Sequence, residues 1–249
     1  MNVWTRIPLA RRQQILTALI AIAAVAFPFI HNNDADIDSA ANAAAYATLA
    51  LGLNIVVGFA GLLDLGYAAF FAIGAYAYGI LTSFQVMPAW GPFWEPFGWL
   101  HLVQRVPQPD GDAVHFTVSF WIMLPVSAMI AAGFGVLFGA PTLRLRGDYL
   151  AIVTLGFGEI VPIVVRNVDS VTNGAAGLNG IQAPRLFGHS FGVAAWPYYY
   201  VGIAMVALLI FVSIRLRDSR IGRAWMAIRD DETAASAMGV DRTRTKLLA

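Results

Sequence analysis

Apolar residues gather along this chain into six long runs, approximately Ile15 to Ile30, Ala40 to Val57, Tyr67 to Ser83, Val118 to Gly139, Tyr149 to Val165 and Tyr198 to Ile214. A helix needs ~20 mostly apolar residues to cross ~30 Å of hydrocarbon. Several runs sit at the short end of that range, so the set carries more weight than any single member. The pattern predicts an all-α, polytopic transmembrane helical bundle of about six spans. Its expected divisions are an N-terminal segment 1–14, a membrane domain 15–214 and a segment 215–249 outside the bilayer.

Composition agrees. With 58% hydrophobic and 12% charged residues and a mean hydropathy of +0.65, no single water-soluble core could hide so much apolar surface. Lys and Arg in short flanking loops set orientation. Arg6, Arg11 and Arg12 precede the first run, Arg144 and Arg146 lie between the fourth and fifth, and eight basic residues from Arg215 to Lys246 follow the sixth. The alternate loops hold only Arg105, Arg166 and Arg185, and Asp34, Asp36 and Asp38 sit just beyond the first run. Both ends are therefore expected in the cytoplasm. An Arg-rich start before an apolar run is also the form of a cleaved signal peptide, with Ala43, Ala44 and Ala45 near the cut. Its removal would not reverse the other spans.

The net charge is +1, so no nucleic-acid partner is expected; the basic loops answer to topology. His31, His101, His115 and His189 are scattered without metal-ligand spacing, and the chain has no Cys. No metal, cofactor or catalytic site is expected. The sole lysine, Lys246, precedes Leu247 outside any glycine-rich turn, so the chain carries no P-loop. If ATP drives its work, another polypeptide hydrolyses it. Gly188-His189-Ser190-Phe191-Gly192 fits the G-x-S-x-G pattern of a hydrolase elbow, but the strand before and helix after that the elbow requires are not readable around it.

Glycine placement is more informative. Gly58-Phe59-Ala60-Gly61-Leu62-Leu63-Asp64-Leu65-Gly66 interrupts two apolar runs without a hydrophilic loop. Such breaks survive in lipid only where protein or a water-filled cavity satisfies the freed backbone. Asn54, Asp64 and Glu159 are the polar residues nearest the apolar interior, and intramembrane carboxylates point to a pathway. Asp64 reads equally well as an interfacial residue. Glu159 lies mid-run, flanked by Gly156, Gly158 and Pro162. The candidate translocation path is Asn54, Gly58, Gly61, Asp64, Gly66, Gly156, Gly158 and Glu159. Gly135 and Gly139 form a G-x-x-x-G pair, and Gly74, Ala75 and Gly79 thin the third run; close helix packing is expected of both. Thr172 to Gly180 reads as a flexible polar loop, either a ligand-receiving mouth or an ordinary turn.

From Ser219 onward the pattern changes. Ile221, Trp225 and Ile228 recur at helical spacing as one apolar stripe, with Arg220, Arg223 and Arg229 on other faces. The stripe calls for a partner surface, either another polypeptide or lipid headgroups. Asp230 and Asp231 can cap a second helix through Met238, Gly239 with Val240 reads as a left-handed stop, and Asp241 can cap a third helix entered at Thr243.

Leu51 to Gly58, continuing through Gly61 to Tyr76, resembles the permease family of bacterial branched-chain amino-acid ABC importers. More narrowly, Leu143 to Ile160 is similar to its M-type subunit, as are the Asn173 to Ile181 loop and Gly222 to Arg229 through Gly239. These segments cover most of the chain from Ala40 onward. The resemblance implies alternating access in the inner membrane, with a second permease subunit, cytoplasmic ATPase subunits that use the ATP, and a periplasmic or extracellular substrate-binding protein as partners. It assigns coupling to the ATPase to Gly222, Arg223, Trp225, Ala227, Ile228, Arg229, Asp231, Glu232, Ala234, Ala235 and Gly239. Thr233 stands where the family's first loop acid falls and Glu232 comes one place early. Family members carry further spans after this segment, so the chain is expected to be a truncated permease, unstable or inactive alone. A urea or short-amide permease of the same build, and an ion-coupled secondary transporter working through Glu159 and Asp64, remain as alternatives.

Overall fold

A computed structural model describes residues 9–31, 33–83, 103–107, 114–143, 145, 148–181, 183–186 and 189–249. In chain order the elements are α1 (Leu9–Ile30), α2 (Asp34–Leu53), a π-helical turn (Asn54–Phe59), α3 (Tyr67–Thr82), β1 (Val103–Pro107), β2 (Val114–Val118), α4 (Phe120–Thr142), α5 (Asp148–Asn167) and α6 (Asp169–Thr172). A 3-10 turn (Gly174–Ala176), β3 (Arg185–Leu186), β4 (His189–Ser190), α7 (Ala195–Arg217), α8 (Arg220–Asp230), α9 (Glu232–Ala237) and α10 (Arg242–Leu247) follow. The architecture is α-helical, with two short antiparallel ribbons, β1–β2 and β3–β4, in its connections.

The six apolar runs are six helices. Among the described residues, Asp34–Phe59, Phe120–Thr142, Asp148–Asn167 and Ala195–Arg217 are long and apolar enough to cross a bilayer, and Ile15–Ile30 and Tyr67–Thr82 are shorter apolar helices. Ile20, Phe29 and Ile152 are 65–78% exposed, an outward apolar surface that suits hydrocarbon rather than water. The chain is a multi-pass membrane protein. Two boundaries differ from expectation. Val118 ends β2 rather than opening a span, and Asp34, Asp36 and Asp38 lie inside α2 rather than in a loop. The first two acids stand in the first turn, where the helix dipole favours negative charge, and Asn33 Oδ1 accepts from the Ala35 amide at 3.3 Å.

The chain forms two compact units, one of 1–48 with 193–211 and the other of 49–192 with 212–249. In the first, Pro28 interrupts α1. Having no N–H, it cannot donate to the carbonyl of Ala24, four residues earlier. The Tyr199 hydroxyl donates to that oxygen at 2.7 Å and the Tyr200 hydroxyl to Val25 O at 3.0 Å. The one acceptor that proline leaves without its ladder donor, Ala24 O, is thus satisfied from α7, as a lipid environment demands. Ile37, Ala195 and Tyr199 form the core of this unit.

In the second unit α3 packs on α4 and α5. The loop after α5 is not the free polar segment its composition suggests. Asn173, Gly174, Gly177 and Gly180 take left-handed backbone. The Thr172 hydroxyl bonds the Val165 and Val168 carbonyls, and Ser83 Oγ at the end of α3 donates to Asn179 O at 2.7 Å. Turn glycines and back-bonding hydroxyls fold the loop onto α3. The expected packing at Gly135 is also not realised, since a Cβ there would meet nothing within 4 Å, while Gly139 faces Leu247 of α10.

Candidate functional site

The segment after α7 is a three-helix hairpin built by local signals. Ser219 caps α8, its Oγ accepting from the Gly222 amide at 3.1 Å and donating to Leu216 O at 2.7 Å. A side chain at Gly222 would strike Leu216 O, so only glycine lets α8 leave α7 this tightly. Asp231 Oδ1 accepts from the Thr233 and Ala234 amides and caps α9. Asp230 does not share that role; it is the last residue of α8. Gly239, at φ +89°, closes α9 with Gly239 N to Ser236 O and Val240 N to Ala235 O bonds, the paired pattern of a Schellman stop. Asp241 then caps α10 through the Arg244 amide. α10 begins at Arg242, one residue before the expected entry.

The apolar stripe of α8 finds its partner inside the chain. Trp225 is 2% exposed and Ile228 is also buried, whereas Ile221 is exposed. Trp225 packs with Ala60, Leu62 and Leu150 in one core cluster, and its Nε1 donates to Thr245 O at 2.7 Å. Trp225 and Ile228 are thus covered from within the chain, while Ile221 leaves the outer end of the stripe open. Gly222 and Ala235 are likewise buried, while Arg223, Ala227, Arg229, Asp231, Ala234 and Gly239 are exposed and Glu232 is partly so. Lys246, which no pattern singles out, is 8% exposed and pairs with Glu232 at 2.9 Å; Arg242 reaches the same carboxylate at 3.7 Å.

What α8 holds is the broken helix. After Leu53 the backbone widens into a π-helical turn, with Ala60 N bonding Ile55 O and Leu62 N bonding Val56 O. A helix that leaves this way frees carbonyls at its end. Arg229 Nη1 donates to one of them, Gly58 O, at 2.7 Å. Gly61, at φ +69°, turns the chain beneath this arginine, and a Cβ there would strike Arg229 Cγ. The Asn54 side chain folds over Gly58, filling the space a Cβ would need.

The other half of the break lies on α5. Leu65 N donates to Thr154 Oγ1 at 3.0 Å, and Gly66 N to Asp64 Oδ1 at 2.8 Å. Gly66 is pressed against the Thr154 carbonyl, and Gly158 faces Gly66 Cα, so both glycines permit one close contact. Burial raises the Asp64 pKa, against the lowering effects of the Gly66 amide and Thr154. The structure thus joins Asn54, Gly58, Gly61 and Arg229 at one place and Asp64, Gly66, Gly158 and Thr154 at another. Glu159 is exposed on α5 and Gly156 meets nothing. Thr154 and Lys246 are the site members missed from sequence. The hydrolase-like Ser190 sits on β4, antiparallel to β3, in no parallel sheet, and its Oγ accepts from the Gly192 amide; Gly188 lies outside the described residues.

The structure thus defines a multi-pass helical membrane protein in which a three-helix hairpin holds the end of an interrupted helix. The chain belongs to the branched-chain amino acid transport system / permease component family, matched over residues 37–249. It is 36% identical over 260 residues to the high-affinity branched-chain amino acid transport system permease protein LivM of Salmonella typhimurium, covering 96% of this chain and 54% of that one. The Escherichia coli protein of the same name matches to the same extent. A probable branched-chain amino acid transport permease protein LivM of Methanocaldococcus jannaschii is 26% identical over 212 residues, 82% of this chain and 60% of its own length. The chain spans about half the length of the first two relatives. No solved structure matches it.

Proposed function

We propose that the chain is the permease subunit of an ABC importer for branched-chain amino acids, working in a bacterial inner membrane with both ends of this chain in the cytoplasm. A second permease, two cytoplasmic ATPases and an external binding protein complete the assembly, and the partner ATPases consume the ATP. The observation that carries this reading is the Arg229 bond to Gly58 O at 2.7 Å, which joins the hairpin directly to the break in a membrane span. Nucleotide can bias the path only through contacts that differ between its two states. The exposed part of the hairpin, including Ile221, Arg223 and Met238, is the surface offered to the ATPase; Trp225, Ile228 and Gly222 shape it from beneath. Tilting α8 would withdraw Arg229, free the π-turn and shift Asn54, Gly58 and the Asp64–Gly66 segment against α5.

The test is ATP-driven uptake of labelled leucine by the full assembly in proteoliposomes. Arg229→Gln should lower uptake about tenfold or more, since a charge-assisted bond is worth ~1.5–3 kcal/mol, with the ATPase still co-purifying. Uptake at the unaltered rate would refute the transmission route; an assembly without any ATPase would refute the importer reading and favour ion coupling.

A further inference from the structure

The second compact unit holds two hollows that meet at one wall. Between α3, α4, α5 and α10 lies an apolar cavity of about 520 Å³, with Phe70, Val136 and Phe157 in its sides. Beneath the hairpin lies a smaller hollow of about 290 Å³, bordered by Gly61, Leu145, Arg229 and the acids Asp230, Asp231 and Glu232. Its rim reaches solvent, since Gly61, Asp230 and Asp231 are exposed. Among the described residues only Leu62, Leu150 and Lys246 border both spaces. All three are buried. They come from three different places, the segment after the π-turn, the first turn of α5 and α10, so they can part without breaking a helix. Lysine suits such a wall, because its aliphatic stem tolerates an apolar side while its ammonium turns to a polar one. Glu232, which takes that ammonium at 2.9 Å, borders only the hairpin hollow.

The hairpin holds every part of the wall. Trp225 shares one core cluster with Leu62 and Leu150, and its Nε1 donates to Thr245 O at 2.7 Å, one residue before Lys246. Glu232 fixes Lys246 itself. We propose that Leu62, Leu150 and Lys246 are a gate between the intramembrane cavity and the hairpin face, latched by Trp225 of α8 and Glu232 of α9. One displacement of the hairpin withdraws both latches, and parting the three side chains joins the two hollows into a single passage. The proposal rests on the permease reading above for what the passage serves, and goes past it by naming where the passage closes.

The test reads access to the cavity rather than transport. The complete transporter is held in everted membrane vesicles, which present the hairpin side to added reagent. Ala132→Cys puts a thiol on the cavity wall of a chain that has no cysteine of its own. Mass spectrometry of this chain follows its modification by a membrane-impermeant cationic methanethiosulfonate and by the anionic sulfonate analogue. Without nucleotide this thiol should react far more slowly than one placed by Met238→Cys on the exposed hairpin surface. Adding Leu62→Ala, Leu150→Ala or Lys246→Ala should speed the reaction about tenfold or more, since the space left by a truncated packed side chain is refilled only in part. Acceleration with both reagents separates lost bulk from the lost ammonium of Lys246. Leu145→Ala, which borders only the hairpin hollow, should leave the rate within about twofold. A thiol from Ala69→Cys, at a buried position bordering neither hollow, reports general loosening and should stay unreactive in every variant. Equal rates at positions 132 and 238, no acceleration in the three wall variants, the same acceleration in Leu145→Ala, or a thiol at position 69 that becomes reactive alongside would each overturn the gate. If the gate fails while binding-protein-dependent leucine uptake persists, the permease reading survives. If the wall variants accelerate while the intact complex takes up no leucine, the gate stands and that reading fails.

Discussion

Replacing Glu232 by alanine should open the α9–α10 hairpin, because it strands the Lys246 ammonium. That side chain is 8% exposed, with Glu232 Oε2 at 2.9 Å. Removing one partner of a buried pair costs ~3–5 kcal/mol. Glu232 itself is 30% exposed, so water can reach the pair and the expected cost falls to about 2–3 kcal/mol. Amide hydrogen exchange in α9 reads it as an opening free energy: in the full chain in lipid, protection from Ala234 to Gly239 should fall roughly 30- to 150-fold. Lys246→Met should cost less, since Glu232 keeps Arg242 at 3.7 Å. The decisive variant combines the two. If the damage comes from an orphaned charge, adding Lys246→Met to Glu232→Ala restores about 1–2 kcal/mol of it. Additive losses would refute the reasoning and leave Glu232 acting through the α9 backbone alone.

Other consequences can be measured separately. Tyr199→Phe leaves Ala24 O without the donor that Pro28 withholds, and should lower stability by about 0.6–2 kcal/mol, read as a lower thermal midpoint; an unchanged midpoint would mean water already serves that oxygen. Gly61→Ala forces an L-residue to φ +69° against Arg229 and should cost at least ~1 kcal/mol, with faster exchange at Leu62. Asp64 has a folded pKa above 3.8, so its protonated form is favoured by folding. Its contribution is therefore greatest below the unfolded value and lost as pH rises through the folded one. Asp64→Asn should flatten the stability–pH profile over that acidic window and stabilise the empty protein at neutral pH. A steeper profile in the variant would contradict the burial argument.

Much of this molecule is written in local pattern. The six apolar runs become helices within a few residues of their expected ends, because in lipid the backbone has no alternative. The stops and caps at Gly239, Asp231 and Asp241 are equally legible, each depending on one side chain and its neighbours. The hairpin β1–β2 was within reach, since Asp110-Gly111 stands between two alternating runs. The π-helical turn was not, for Asn54 to Phe59 has no composition that separates it from α-helix. The stripe of α8 illustrates a different limit. Periodicity identified Trp225 and Ile228 as needing cover, but not that Ala60, Leu62 and Leu150 provide it, for those contacts span large sequence separations. Lys246 looked like an ordinary basic residue until α9 and α10 folded it onto Glu232, and the cavity beside Asp64 depends on how far α4 stands from α5.

The most direct test of the account places a cysteine at Met238, 86% exposed on the hairpin, in this cysteine-free chain, and cross-links it within the intact assembly in membranes. The account requires a cross-link to a nucleotide-hydrolysing subunit whose yield differs between the nucleotide-free and ATP-bound states. Adducts to lipid alone, or a yield indifferent to nucleotide, would contradict the claim that this hairpin carries the motor's stroke to the broken span.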